Sequence, residues 1–135
     1  MNSRPRATSL SSMFRGIPGV YLGGAHTLRA MARCLGGVLI NGATRDGSYI
    51  RKRQFPAACL GFSPVRSAGR LETVAIGEPV NVAGVHISAG DLVAFDDDGV
   101  VCIPAASADV VIEHAQRILQ RELERDRDLE ASLEL

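Results

Sequence analysis

The chain has 135 residues, 46% hydrophobic and 22% charged, which suits a single globular domain and excludes a fibrous or wholly disordered chain. Fifteen basic and fifteen acidic residues cancel, but they are not mixed: Asp46 is the only acid up to Arg70, and the others run from Glu72 onward. Either the two halves neutralise each other on folding or the basic half faces an acidic ligand. No Lys/Arg cluster is interleaved with stacking aromatics, so no direct nucleic-acid partner is expected.

The first stretch, "MNSRPRATSLSSMFR", has the arginine- and serine-rich, acid-free look of a transit peptide without a clear amphipathic stripe, and reads as a loose tail. "GIPGVYLGGA" allows at most a short strand at Val20 to Leu22. "HTLRAMARCL" sets Leu28, Met31, Ala32 and Leu35 at helical spacing, with Arg29 and Arg33 on another face. "GGVLINGATRD" then reads as a continuous apolar strand covered on both faces, and a helix feeding such a strand points to an α/β architecture.

"GSYIRKRQ" is polar and reads as irregular, and "FPAACLGFSPV" as a strand that ends in a loop. Residues 72–104 contain short β-rich runs divided by Gly-Glu-Pro, Ala-Gly, Ala-Gly-Asp and Asp-Asp-Gly turns, which predicts a compact β-meander or small barrel-like sheet. The last segment predicts a helix with Ser107 as N-cap and an apolar face of Val110, Ile112, Ala115, Ile118, Leu119 and Leu123; its final turns, dominated by acids and arginines, read as solvated or partner-facing. Cys34, Cys59 and Cys102 have no metal-type spacing and lie in apolar surroundings, so buried free thiols in a reducing cytoplasm are expected. No stretch is long and apolar enough for a membrane helix, and no membrane partner is expected.

The residues that can carry chemistry gather at one strand end. Asp46 sits at the predicted C-terminal end of the buried strand, the edge where open α/β sheets bind ligands, and a carboxylate there can hold a hard divalent cation. Arg45 beside it can clamp a substrate carboxylate with its planar fork. Neighbouring strand residues point to opposite faces, so the two converge only if the strand has turned; otherwise they form an ordinary charged turn. "GGAH" at residues 23–26 can present backbone N–H groups to an anion or act as a hinge. His86 reads as an outward-facing strand residue and His114 as solvent-facing, while "FDDDGV" reads as a solvated turn rather than a metal site. No Ser-His-Asp set, phosphate loop or dinucleotide fingerprint is present.

Taken in order, "GGVLINGATRD", "FPAACLGFSPV" and "GVHISAGDLVAFDDDGVVCIP" resemble the RraA-like family, which includes the regulator of ribonuclease E activity A and the class II 4-hydroxy-4-methyl-2-oxoglutarate aldolases. The resemblance runs from about Gly23 to the C-terminal helix. It implies an α/β fold, the swivelling phosphohistidine-domain-like β/β/α arrangement, in a cytoplasmic homotrimer or hexamer with sites between subunits. It also implies a lyase that uses Mg²⁺ or Mn²⁺ to cleave 4-hydroxy-4-methyl-2-oxoglutarate to pyruvate and to decarboxylate oxaloacetate, a small 2-keto acid. Asp46 matches the metal-binding and catalytic aspartate and Arg45 the substrate-binding, catalytic arginine, while Gly23, Gly24, Ala25 and His26 match the substrate-contacting loop. The family's aldolases carry an acid twenty-one positions before the arginine, which falls here on Gly24. A non-catalytic, ribonuclease-binding regulator of RNA degradation is therefore the alternative expectation. Family members are longer at the N-terminus, so the resemblance implies a domain lacking part of its N-terminal region. Residues 1–22 are then a variable tail, 23–124 the RraA-like domain and 125–135 a charged helical extension, and an inactive truncated homologue is the third expectation.

Overall fold

The computed structural model describes residues 20–133, so the expectations for the first fifteen residues lie outside the described part. The described residues open with two successive β-α-β units: β1 (Val20–Leu22), α1 (Gly24–Ala32), β2 (Val38–Thr44), α2 (Gly47–Lys52) and β3 (Ala57–Phe62). The three strands form one parallel sheet in the order β1-β2-β3, and the helices supply the crossovers that parallel pairing requires. Two antiparallel hairpins follow: β4 (Val80–Val82) with β5 (Val85–Ile87), then β6 (Leu92–Phe95) with β7 (Val100–Ile103). A single 3₁₀ turn, Ala105–Ser107, leads into α3 (Ala108–Ser132).

The central strand β2 explains the layering. Val38, Leu39 and Ile40 are consecutive and all buried, and strand alternation sends Val38 and Ile40 to one face and Leu39 to the other. Val38 and Ile40 pack with Leu22, Ala30, Ile50 and Phe55 beneath the two helices. Leu39 packs with Val82 and Ile87 of the first hairpin, with Val93 and Cys102 of the second partly buried against it. Helices, parallel sheet and antiparallel hairpins thus make the three layers of the expected β/β/α arrangement. Each of these buried β2 side chains contributes on the order of 1.5–3 kcal/mol, so this one strand anchors both cores.

Several expectations need correction. "GSYIRKRQ" is not irregular: its first six residues form α2, because Ile50 inserts into the helix-side core and Ile50 N–H bonds the Asp46 carbonyl at 3.0 Å. Helix α1 begins at Gly24, two residues earlier than its apolar spacing predicts, and ends at Ala32. The β-rich region is not one continuous meander but two separate two-stranded sheets. Cys34 is exposed rather than buried, since it follows the end of α1 at φ 55°, whereas Cys59 and Cys102 are half-buried. Ser107 occupies the N-cap position of α3 but makes no side-chain cap bond, and α3 has no buried residue, so its apolar face does not pack into this chain's core.

Candidate functional site

β1 and β2 end side by side, and the site lies where they stop. The ladder between them is carried past the last strand residue by Arg45 N–H, which bonds the Leu22 carbonyl at 2.8 Å. The β2–β3 register shifts between Ile40 and Ala43, a bulge-like irregularity that re-aims the end of the strand. Asp46 then adopts the left-handed conformation, φ 61° and ψ 36°, and becomes the N-cap residue of α2. This turn brings together two neighbours that an unbroken strand would point to opposite faces. Arg45 Nε stands 3.5 Å from Asp46 Oδ1, with both side chains 39% exposed.

On the β1 side, Gly23 is the N-cap of α1, and its carbonyl accepts bonds from Thr27 N–H at 3.0 Å and from the buried Thr27 hydroxyl at 3.1 Å. Gly24 N–H, one of the free donors at the helix start, bonds Asp46 Oδ2 at 2.8 Å. The Asp46 carboxylate is therefore seated on the N-terminus of α1, where the helix dipole favours negative charge. Gly23 leaves little slack: a Cβ there would stand 3.1 Å from Asp46 Oδ2, which would have to give by a few tenths of an ångström, and 3.5 Å from Arg45 Nη2. A Cβ at Gly24 would meet Asp46 Oδ2 and the Tyr49 ring at ordinary contact distances of about 3.5 Å.

Of the residues expected to form the site, Gly23, Gly24, Arg45 and Asp46 meet. Ala25 and His26 lie exposed on the first turn of α1, with no hydrogen bond or ion pair to Arg45 or Asp46. Tyr49 was missed. It stands beside Gly24 at the mouth of the site, and Arg53 stacks on it with the guanidinium carbon 5.2 Å from the ring centroid. Its signal was the spacing Asp46 to Tyr49, one helical turn, which is visible only if the segment is read as a helix.

Among the described residues, no group of three or more His, Cys, Asp or Glu side chains is placed to hold a metal ion. A cation here would rest on the Asp46 carboxylate and water, a donor set that suits a hard ion such as Mg²⁺, which commonly keeps several waters and one or two carboxylates. Other polar clusters are structural. Asp96 Oδ1 accepts the N–H groups of Asp98 and Gly99 at 2.9 and 3.2 Å, which makes "FDDDGV" the expected turn. Asp91 accepts Ser88 N–H at 2.8 Å and Ala105 N–H at 3.0 Å, and these amides hold its carboxyl below the usual carboxylate range. His86 Nε2 lies 3.4 Å from Ser88 Oγ, but Asp91 is committed to backbone amides, so no Ser-His-Asp relay exists there. Burial, then the Asp91 charge, push the Cys102 thiol up, away from a reactive thiolate.

Comparison with known proteins gives a consistent likeness. The profile of the RraA-like family, described as Aldolase/RraA, matches residues 15–102. An uncharacterized protein of Methanocaldococcus jannaschii is 36% identical over 101 residues, 74% of this chain and 48% of that one. A Halalkalibacterium halodurans protein, provisionally named 4-hydroxy-4-methyl-2-oxoglutarate aldolase, is 33% identical over 89 residues, 64% of this chain and 42% of its own length. The crystal structure of Streptomyces coelicolor RraAS2, titled an unusual member of the RNase ES inhibitor RraA family, superimposes with a TM-score of 0.68 at 28% identity, over 88% of this chain and 62% of that one. The chain spans about half the length of the curated relatives it matches.

Proposed function

The chain belongs to the RraA-like family, and from that premise we propose that it is a lyase of small 2-oxo acids that works with a divalent cation. The reaction is cleavage of 4-hydroxy-4-methyl-2-oxoglutarate to pyruvate, with decarboxylation of oxaloacetate as a side activity. The observation that carries this reading is the convergence of Arg45 and Asp46 on the N-terminus of α1 at the C-terminal ends of β1 and β2.

Each residue has a role that follows from its surroundings. Asp46, oriented by Gly24 N–H, would hold Mg²⁺ or Mn²⁺. Such an ion, when bound, supplies the polarisation of the 2-oxo group that makes an enolate accessible. Arg45 binds the substrate carboxylate through two parallel N–H donors. Its ion pair with Asp46 is long and well exposed, and pairs of that kind contribute little, so the guanidinium can exchange Asp46 for substrate at small cost. The Tyr49 ring holds the Arg53 guanidinium over its face, and that cation suits an anionic substrate.

Oxaloacetate with Mg²⁺ or Mn²⁺ tests the reading: pyruvate release above the buffer and metal background is expected, and should vanish with chelator. Absence of any metal-dependent release would remove it. Gly24 favours a second reading, a non-catalytic regulator that works by contact with a ribonuclease, because this position has no side chain where the family's aldolases carry a carboxylate. Gly24→Glu separates the two. A Cβ is tolerated there, and an acid in the first helical turn is favourable, so the variant raises cation affinity and pyruvate release if the site is catalytic. Under the regulator reading it leaves release at background, and a ribonuclease is retained by the wild-type chain in pull-down.

A further inference from the structure

Arg53 brings a second guanidinium to the candidate site, and its charge has no ion-pair partner among the described residues. It is nonetheless held in place: its guanidinium carbon stands over the Tyr49 ring, 5.2 Å from the centroid. The ring quadrupole attracts a cation so placed, and part of its freedom is lost before any ligand arrives. The backbone explains the seat. Arg53 N–H bonds the Tyr49 carbonyl at 3.1 Å, so helical geometry runs to the end of α2, and Asp46, Tyr49 and Arg53 at i, i+3 and i+7 share one face. Side chains on a helix lean toward its N-terminus, which carries the Arg53 arm back over Tyr49 and toward Asp46.

The glycine pair fixes the order of these groups. A Cβ at Gly23 would stand 3.5 Å from Arg45 Nη2 and 3.1 Å from Asp46 Oδ2, and one at Gly24 would stand 3.5 Å from Asp46 Oδ2 and 3.4 Å from Tyr49 Cδ1. Arg45, Asp46 and Tyr49 therefore follow one another along two adjacent glycines, with Arg53 at the Tyr49 end of the row. One carboxylate thus lies between two guanidinium groups. An extended five-carbon dicarboxylate holds its end carbons about 5 Å apart, and each paired guanidinium carbon lies about 4 Å further out, so such a ligand bridges cations roughly 13 Å apart. A monocarboxylate clamped by Arg45 would leave Arg53 idle.

We propose that Arg53, positioned by Tyr49, determines specificity at this site by binding the distal carboxylate of a 2-oxo dicarboxylate whose first carboxylate is held by Arg45. The inference rests on the proposed 2-oxo acid site only for the place of that first carboxylate. Arg51 supplies an internal comparison. It too stands over an aromatic ring, 5.7 Å from the centroid of Phe62, but Phe62 belongs to β3 and crowds Gly47 rather than Gly24, so Arg51 is off the row.

Calorimetric titration of the full chain in Mg²⁺ tests the proposal with 2-oxoglutarate and 2-oxopentanoate, which are equal in carbon number and differ only in the distal carboxylate. The wild type binds 2-oxoglutarate about tenfold more tightly. Arg53→Gln brings the two ligands within about twofold by weakening 2-oxoglutarate alone, and Arg53→Lys restores part of the gap. Arg51→Gln leaves the gap in place. Tyr49→Phe keeps it and Tyr49→Ala narrows it, a ligand-dependent loss that damage to α2 would not give, because damage weakens both ligands. A wild type that binds the two alike, or binds neither, overturns the proposal. So does an Arg53→Gln chain that keeps the gap, or an Arg51→Gln chain that loses it. The lyase reading fails separately: a preference for 2-oxoglutarate without metal-dependent pyruvate release leaves the distal anchor standing, and release without the preference removes only the anchor.

Discussion

Replacing Asp46 in turn by Asn, Gly and Ala separates the charge of the carboxylate from the backbone turn that presents it. The residue sits at φ 61° and ψ 36°, a left-handed conformation that Asn tolerates and Gly adopts freely, but that costs Ala about 1 kcal/mol more than Asp. Its side chain also accepts the Gly24 N–H at 2.8 Å, a helix-start bond worth about 1 kcal/mol, with little extra from the charge because the carboxylate is 39% exposed. Asn keeps both features and stays within about 0.5 kcal/mol of wild type. Gly loses the bond but sheds the strain, so it also lies near zero. Ala loses both, about 2 kcal/mol, or a melting temperature lower by about 8 °C for a chain of this size. All three remove the negative charge, and all three should abolish metal-dependent pyruvate release from oxaloacetate in a coupled assay. Thermal melts and the assay together give a two-way result. Metal-dependent release by Asp46→Asn would refute the role of the carboxylate, and a Gly variant as unstable as the Ala variant would refute the backbone argument.

Arg45→Lys exchanges a two-pronged donor for a point charge, so KM for oxaloacetate should rise by about tenfold with a smaller change in kcat; an unchanged KM argues against the clamp. A Cβ at Gly42 would overlap the Tyr21 ring, which packs on the helix-side core, so Gly42→Ala should cost about 1–3 kcal/mol in urea unfolding. The same change at Gly47 overlaps Phe62, whose ring is 63% exposed and can swing away, and should cost less than about 1 kcal/mol; equal costs would contradict the packing reading. For Asp91, the Ser88 and Ala105 amides favour the ionised form, so its folded pKa is lowered. Their contribution is therefore complete above the ordinary aspartate value of about 3.9 and is lost as pH falls through the lower folded value. The melting-temperature gap between wild type and Asp91→Asn should be widest near neutrality and close in acid; a gap independent of pH would sink the assignment.

What could be read from the sequence and what could not divide along physical lines. The run Val38 to Ile40 announced a strand buried on both faces because three consecutive apolar residues leave no solvated side, and both cores indeed close on it. α2 escaped notice because six residues hold less than two helical turns, too few for a periodicity, and its single core anchor, Ile50, is surrounded by polar neighbours. The apolar spacing of α3 correctly announced a helix, but spacing reports only that a face wants covering and not what covers it; none of the helix's described residues is buried. The site shows the same division more sharply. The residue types in "TRD" named a cation and an anion, but side-chain alternation along a strand argued that they diverge. What reverses that argument is a backbone event, the left-handed turn at Asp46, which a one-letter code does not record and which Asp enters more readily than most residues. The turn is in its place because Gly24 offers a free helix-start N–H at the distance the carboxylate can reach. Any residue at position 24 keeps that backbone N–H and a Cβ there meets only ordinary contacts, so Gly24→Glu leaves the turn at Asp46 in place and its activity measures the added carboxylate alone.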